Sequence, residues 1–249
     1  MQRSVFAQTL VAARKAGGLG EPQVAALPDD HASAMRVQQE VADALGTEVV
    51  GWKLGFAPDG RAVAGPLFAD VVRPSPARFT LPPRGFIVEI ELAFRLRRDL
   101  PKGDWSREDV LDAADEVLVG IELVRGRRGE PPGVTYFAFL ADNIGNAGYV
   151  TGASTRDFRK LDLKALPVRW SIGDAVVEEK RGGHPQGDPA EPLRAYAADP
   201  NDRLGGLRKG QVVTTGSLTK PLRVEEPARI VASIEGVGEV SVELVAPGA

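Results

Sequence analysis

Residues 86–97, Phe-Ile-Val-Glu-Ile-Glu-Leu-Ala-Phe-Arg-Leu-Arg, are the stretch that decides the fold. Apolar side chains recur at every second position from Val88 to Leu96, and a period of two predicts a half-buried β-strand. Glu89 and Glu91 fall on the opposite face, about 7 Å apart at their bases. Two carboxylates at that spacing either converge on one divalent cation or face water, and the strand alone leaves both possibilities open.

The rest of the chain repeats this pattern in shorter runs separated by Gly and Pro. We predict further strands over residues 48–54, 76–81, 117–125, 147–152, 166–171, 211–216, 229–235 and 239–245. Helices are predicted over 4–16, along the Val37, Val41 and Leu45 face before Gly46, and over 106–116 and 190–199. Many short strands with few helices favour an α+β fold that is mainly β, a barrel or rolled sheet, over alternating βαβ units.

The length of 249 residues fits one continuous domain, with a helical lead-in over 1–46 and a β domain over 47–249. The formal charge of −3 gives no reason to expect nucleic acid or an acidic membrane as a partner. No apolar run approaches the roughly 20 residues that span a bilayer, and the N-terminus lacks the apolar core of a signal peptide.

Cysteine is absent from the chain and histidine occurs only twice. These counts exclude disulfides, thiolate zinc sites and a cysteine nucleophile, and they fit a cytoplasmic protein. A bound metal would have mainly oxygen ligands, which favours Mg²⁺ or Mn²⁺.

Glu122 lies in Val117-Leu-Val-Gly-Ile-Glu-Leu-Val124, a run that is apolar at odd and even positions alike. An ionised carboxylate in a strand buried on both faces costs several kcal/mol unless it is compensated. Three outcomes are open: a buried basic partner, of which Arg125 and Arg127 are nearest in sequence, a raised pKa, or a bound metal.

Other polar residues stand beside apolar runs and allow two interpretations each. Lys53 is either a buried ammonium that meets carboxylates or substrate, or a lysine whose head reaches water. Asp70 and the pair Asp142-Asn143 are either site residues or turn residues. The stretch 214–218, Thr-Thr-Gly-Ser-Leu, either binds an anion or makes a turn.

Several of these pieces occur in a specific order along the chain. They are WKLG (52–55), PLFADV (66–71), VEIELAF (88–94), GIELVRGR (120–127), ADNIGNAGYV (141–150), TTGSL (214–218) and EGVGEVSVEL (235–244). Together they resemble the fumarylacetoacetate hydrolase superfamily, specifically its branch of 2-oxopent-4-enoate hydratases and 4-oxalocrotonate decarboxylases. The resemblance extends from Gly51 to about Leu244.

The resemblance implies a mixed β-roll with Mg²⁺ or Mn²⁺ held at Glu89, Glu91 and Glu122. It implies catalytic roles for Lys53 and Asp70. The substrate-binding positions that it implies are Leu54, Arg127, Asp142, Asn143 and Ser217. The expected substrate is a small 2-oxo acid or 2-hydroxydienoate, and relatives of this kind are homo-oligomers.

Three activities are compatible with these motifs. The first is hydration of 2-hydroxy-2,4-dienoates to 4-hydroxy-2-oxo acids in aromatic catabolism. The second is decarboxylation of 4-oxalocrotonate-like dicarboxylates, which basic residues at the far end of the pocket would favour, with Arg61 and Arg73 as candidates. The third is binding of keto acids without turnover.

The chain departs from the hydratase pattern at three places. Ile144-Gly145 replaces a small residue and serine, the segment between Lys53 and Asp70 is short, and residues 180–190 follow a different pattern. These departures concern the substrate more than the metal.

Overall fold

The computed structural model describes residues 3–17 and 27–248. Its helices are α1 (Val5–Ala16), α2 (His31–Leu45), α3 (Arg107–Asp112), α4 (Tyr136–Ala141) and α5 (Ala190–Ala198). Its strands are β1 (Val49–Phe56), β2 (Ala62–Phe68), β3 (Val72–Pro74), β4 (Ala77–Thr80), β5 (Phe86–Leu96), β6 (Ala114–Val124), β7 (Asn146–Thr155), β8 (Pro167–Ile172), β9 (Ala175–Arg181), β10 (Val212–Ser217), β11 (Leu222–Val224), β12 (Ala228–Ile234) and β13 (Gly238–Val245).

The strands form two sheets. The larger sheet has the order β2-β1-β10-β5-β6-β7-β3, with β11 also paired to β5, and the smaller sheet has the order β4-β13-β12-β8-β9. The β1–β10, β3–β7 and β4–β13 pairs are parallel, whereas the other pairs are antiparallel. The fold is therefore the predicted mainly β, mixed roll with two N-terminal helices.

The main core lies between the two sheets. On β5 the apolar face from Val88 to Leu96 is buried, and it joins alternate residues of β6, β12 and β13 in one cluster. Burial of this apolar area is the main stabilising contribution to the fold, at roughly 25 cal/mol per Å². Because side chains alternate along a strand, Glu89 and Glu91 are on the other face of the large sheet.

The N-terminal helices cover the outer face of β2. Phe6 and Leu10 of α1 pack with Val37 and Val41 of α2, and this cluster extends to Leu140 of α4. Gln38 donates its side-chain N–H to the carbonyls of Ala64 and Leu140, at 3.0 and 2.7 Å. Helix α2 is thus hydrogen-bonded to β2 and to α4, which border the carboxylate-bearing face. The boundary at residues 46/47 stays a prediction.

Helix ends follow their capping residues. Ser4 and Asp30 cap α1 and α2, and Gly17 and Gly46 end them in the left-handed conformation that glycine accepts most readily. Ser106 begins α3 with a capping box, in which its hydroxyl accepts from the Asp109 N–H. The predicted connection between α1 and α2 falls on residues 18–26, which lie outside the described part of the chain.

Some predicted boundaries were wrong. The helix predicted over 106–116 ends at Asp112, because Ala114 and Glu116 pair with β5 and lengthen β6. Strand β2 was missed because it contains Gly65-Pro66, a pair that usually argues against a strand. An edge strand has one unpaired side, where the missing N–H of a proline costs no ladder hydrogen bond. β2 is an edge strand of the larger sheet. Among the described residues, no helix is long and apolar enough to cross a membrane.

Candidate active site

Strand register brings the three glutamates together. Glu89 on β5 lies directly opposite Glu122 on β6, and Glu91 lies two pairs farther along, opposite Gly120. Carboxylate oxygens of the three residues approach within 4.8 Å of one another. Glu91 and Glu122 are fully buried, so the interpretation of a solvated Glu-x-Glu pair does not hold.

Lys53 is the cation that meets this cluster. Its Nζ lies 2.8 Å from Glu122 Oε2 and 3.6 Å from Glu89 Oε2. The side chain comes from β1, and β10 lies between β1 and β5. Lys53 is buried, so the interpretation of a head group in water was wrong. The basic partner of Glu122 is Lys53, a residue distant in sequence, and not Arg125 or Arg127.

Burial and mutual repulsion shift the pKa values of these groups. Burial raises the pKa of Glu122 to about 7 although the Lys53 ammonium opposes the shift. Burial, with Glu122 and Glu89 adding to it, also raises the pKa of Glu91 well above its usual value. For Lys53, burial opposes ionisation, but the three glutamates outweigh it and raise its pKa, so the ammonium form persists.

The site fits a divalent cation. When all three carboxylates are ionised, the Lys53 ammonium leaves two negative charges uncompensated, in agreement with the raised pKa values of Glu91 and Glu122. Oε1 of buried Glu91 has no hydrogen-bond partner among the described residues. Oxygen donors of this kind suit Mg²⁺, Mn²⁺ or Ca²⁺. Glu89, Glu91 and Glu122 thus form a possible acidic metal site.

Neighbouring hydroxyl and amide groups hold the glutamates in place. Thr214 Oγ1 donates to Glu91 Oε2, and Asn146 Nδ2 donates to Glu122 Oε1 at 2.8 Å. Tyr149 lies opposite Glu122 in the β6–β7 pair, and its hydroxyl lies over Gly120, where an added Cβ would be 2.0 Å away. Burial and the nearby Glu91 charge raise the Tyr149 pKa, so the phenol stays protonated.

Sequence reasoning did not single out Asn146 and Tyr149. Both lie in the stretch 141–150 that carries the family resemblance. The available signal was the alternation of β7, which places Tyr149 on the same face as its partner Glu122.

The segment after α4 closes over Lys53. Asn143 and Ile144 have positive φ values of 56° and 53°, and the Ile144 carbonyl accepts from Lys53 Nζ at 3.4 Å. Asn143 donates to the carbonyl of Pro66 at 3.2 Å, while its Oδ1 has no partner among the described residues. Gly65 permits this approach, because a Cβ there would lie 2.6 Å from the Asn143 carbonyl oxygen.

Asp142 is buried and paired with two arginines. Arg14 of α1 and Arg127 lie 3.2 and 3.4 Å from Asp142 Oδ1, and the Arg127 backbone N–H donates to Oδ2. Arg127 also donates to the Asn146 carbonyl. Arg127 therefore connects Asp142 to the residue that bonds Glu122.

Asp70 is exposed, after β2, and its Oδ1 accepts from Thr47 at 3.2 Å. It lines a cavity of about 220 Å³ together with Arg14, Arg73, Arg125 and Arg127. Asp70 and Arg127 thus share one cavity, whose lining does not include Glu89, Glu91 or Glu122.

Two predicted substrate-binding residues have other contacts. Leu54 points into the main core, on the face opposite Lys53, so its side chain lies away from the carboxylate cluster. Ser217 lies opposite Glu91 in the sheet, but its hydroxyl donates to the Thr219 carbonyl at 2.8 Å. Of the decarboxylase candidates, Arg73 lines the cavity, whereas Arg61 lies in the β1–β2 turn.

The chain is similar to several known proteins. It is 29% identical over 218 residues, 82% of its length and 81% of the relative's, to 2-keto-4-pentenoate hydratase of Paraburkholderia phymatum. It is 25% identical over 230 residues, 86% of its length and 85% of the relative's, to 4-oxalocrotonate decarboxylase of Pseudomonas sp. strain CF600. No family model matches the chain.

Among solved structures, 4-oxalocrotonate decarboxylase of Pseudomonas putida G7, complexed with magnesium and adipate, matches with a TM-score of 0.84. The match covers 98% of this chain and 100% of the other at 21% identity. The fold is therefore that of this decarboxylase. Its homologues are named 2-keto-4-pentenoate hydratase and 4-oxalocrotonate decarboxylase, which agrees with the resemblance to those two groups of the fumarylacetoacetate hydrolase superfamily.

Proposed function

We propose that the protein is a metal-dependent lyase that hydrates 2-hydroxy-2,4-dienoates to 4-hydroxy-2-oxo acids. The observation that carries the proposal is the buried convergence of Glu89, Glu91 and Glu122 with Lys53, in a chain homologous to hydratases of such substrates. We propose Mg²⁺ or Mn²⁺ as the ion, since the ligands are three carboxylates. The bound ion would supply Lewis-acid stabilisation of negative charge on the 2-oxo oxygen.

Residues of the chain would carry out the proton transfers. For the five-carbon substrate, a proton leaves the 2-hydroxyl and one is added at C5, which gives the 2-oxo-3-enoate. Water then adds at C4 and a proton at C3. Lys53, held as an ammonium by its three glutamates, is suited to donate a proton or balance enolate charge. Asp70 is the carboxylate proposed to accept one, from the cavity that it shares with Arg127.

The remaining predicted residues would orient the substrate. The backbone at Leu54, the Asn143 amide and the β10 end at Ser217 border the Lys53 side of the site. Asp142 would act indirectly, by fixing Arg127. Glu122, which Asn146 holds in place, would bind the ion and keep Lys53 charged.

The test is incubation of the purified protein and Mg²⁺ with 2-hydroxypenta-2,4-dienoate and, separately, with 4-oxalocrotonate. Loss of the dienol absorbance without release of CO₂ indicates hydration, whereas CO₂ release indicates the decarboxylase activity of the other homologous group. Glu122→Gln should abolish turnover, and Glu116→Gln, a carboxylate of the same strand paired with Arg95, should retain it. If neither substrate is consumed, the remaining alternative is binding of keto acids without turnover.

Two further properties are part of the proposal. We propose a homo-oligomer, tested by sedimentation velocity at micromolar concentration, where a single monomer peak would contradict it. We also propose a cytoplasmic location, in keeping with the absence of cysteine. Cell fractionation tests this second point.

A further inference from the structure

Tyr149 is a fully buried residue of β7 that lies between two different environments. Its side chain belongs to a small apolar cluster, whose other buried members are Leu67, Ala93, Leu118 and Val212. By strand register and alternation, these residues lie on the same side of the larger sheet as the glutamates. The Tyr149 hydroxyl lies over Gly120, which is paired with Glu91. Tyr149 thus separates the apolar cluster from the carboxylates.

Glycine at position 120 makes room for this hydroxyl. A Cβ atom on residue 120 would lie 2.0 Å from Tyr149 Oη and 2.5 Å from Tyr149 Cζ. Gly120 is paired with Glu91 on β5 and with Thr151 on β7. The phenol from β7 therefore extends over β6 at the level of Glu91.

The Tyr149 hydroxyl has no hydrogen-bond partner among the described residues. Buried tyrosine hydroxyls usually have one, so this donor is available to a neighbouring group. Burial and then the Glu91 charge raise the pKa of Tyr149, whereas the Thr214 hydroxyl opposes the shift. The phenol is thus a protonated donor beside Thr214 and Glu91.

Thr214 is the group that orients Glu91. Its Oγ1 donates to Glu91 Oε2, whereas Glu91 Oε1 has no partner among the described residues. The ion pairs of Lys53 go to Glu89 and Glu122 instead. A threonine hydroxyl has one proton and two lone pairs, so Thr214 Oγ1 can accept a hydrogen bond while it donates to Glu91.

We propose that Tyr149 is a positioning residue of the metal site: its hydroxyl donates to Thr214 Oγ1, which keeps the Thr214 hydroxyl directed at Glu91 Oε2 and leaves Glu91 Oε1 for the ion. Groups that hold a metal ligand set the affinity of the site because they fix the orientation and charge of that ligand. Tyr149 acts in this way through Thr214, without contact with the ion. The inference rests on the proposed function, because it concerns the ion that the glutamates bind.

The test is the affinity for Mn²⁺, measured by calorimetry on the full chain. Tyr149→Phe keeps the ring in the apolar cluster and removes the hydroxyl. We expect its Kd for Mn²⁺ to rise about tenfold or more, the usual effect of losing a group that holds a metal ligand. The control is Tyr196→Phe, which removes a hydroxyl bonded to Asp202 at 2.8 Å in the main core and should bind Mn²⁺ like the wild type.

A double-mutant cycle shows whether Tyr149 acts through Thr214. In the Thr214→Val background, Tyr149→Phe should change the Kd less than about twofold, because the intermediate hydroxyl is already missing. In the Asn146→Ala background it should keep its full effect, since Asn146 holds a different glutamate, Glu122. Independent effects of Tyr149→Phe and Thr214→Val would overturn the proposed connection.

The tyrosine absorbance gives a measurement that does not depend on affinity. Binding of Mn²⁺ neutralises the Glu91 charge beside the phenol, so the wild type and Tyr196→Phe should show a near-ultraviolet difference spectrum of tyrosine. Tyr149→Phe at saturating Mn²⁺ should lack it. Absence of this spectrum in the wild type would overturn the inference even if the variant failed to fold.

The remaining outcomes separate the inference from the proposed function. Urea unfolding in EDTA measures the packing of Tyr149 alone. A loss of stability in Tyr149→Phe with an unchanged Kd would assign the hydroxyl a structural role and overturn the inference, while the proposed function stands. Failure of the wild type to bind Mn²⁺ would overturn the metal site of the proposed function itself.

Discussion

Lys53 shows how a buried charge is tolerated in this protein. Its ammonium lies among three carboxylates, two of them fully buried, and contacts Glu122 at 2.8 Å. Each of these charges alone would cost several kcal/mol in the interior. The Lys53 ammonium compensates part of the negative charge of the three glutamates. A divalent ion would neutralise the rest.

The first prediction concerns Lys53→Met. We expect turnover to fall by about 10² or more, the usual effect of losing a proton-transferring group, while Mn²⁺ still binds because the three glutamates remain. Steady-state kinetics and metal calorimetry on the same sample measure the two effects. Lys102→Met, which removes an exposed lysine paired with Asp199, is the matched control. Loss of Mn²⁺ binding in Lys53→Met would assign the lysine a structural role instead.

Among the secondary-structure elements, the β1–β2 hairpin determines how closely the 141–145 segment approaches the lysine. Gly65 lies opposite Lys53 in this hairpin, and the Asn143 backbone passes directly over it. This close contact is possible only because glycine carries no Cβ atom. The carbonyl of Ile144 then reaches Lys53 Nζ.

The second prediction follows from this contact. Gly65→Ala should destabilise the fold by about 1–3 kcal/mol, as overpacking usually does, and lower turnover by displacing the segment. Gly55→Ala in the same strand pair, where an added Cβ meets nothing within 4 Å, should be neutral or stabilising by up to about 1 kcal/mol. Urea unfolding measures both variants, and equal stabilities would contradict the close approach.

The loop before α5 depends on a neutral histidine. His184 Nε2–H donates to the Thr215 carbonyl at 2.9 Å, and its Nδ1 accepts from the Gln186 N–H at 3.2 Å. The ring thus fits its partners only in one neutral tautomer. Burial lowers the His184 pKa below its usual 6.5, although the Thr215 carbonyl and Asp188 oppose the shift.

The third prediction is a pH dependence of this loop. A lowered pKa of a base means that its stabilising contribution is complete above pH 6.5 and is lost as the pH falls below that value. The protection factors for hydrogen exchange at residues 182–187 and 215–217 should therefore fall between pH 7 and pH 5, after division by the intrinsic exchange rates. His184→Gln should remove this pH dependence, and His31→Gln in α2 should not. A pH-independent protection factor in the wild type would refute the prediction.

For the whole molecule, the metal should contribute to stability. An ion that binds only the folded chain stabilises it by about 2.7 kcal/mol at a concentration of one hundred times its Kd. We expect Mg²⁺ or Mn²⁺ to raise the unfolding temperature and EDTA to reverse the effect. Glu122→Gln should lose this metal-dependent shift, whereas Glu116→Gln should keep it. The same shift in both variants would place the ion elsewhere.

Most of the fold could be predicted from local patterns. The period of two identified β5 and most of the other strands, and Ser4 and Gly46 marked helix ends. Strand β2 could not be found in this way, because Gly65-Pro66 opposes a strand until its position at a sheet edge is known. The end of α3 likewise depends on pairing between β5 and β6, which no local rule contains.

The sequence by itself determined which residues carry charge on the glutamate-bearing strands, and the order of the motifs indicated the family. The tertiary structure decided the partners. Only strand register places Glu89 opposite Glu122, and only the order β1-β10-β5 brings Lys53 to them. The physical reason is that a local pattern fixes the face on which a side chain lies, whereas electrostatic compensation depends on distances between residues far apart in the chain.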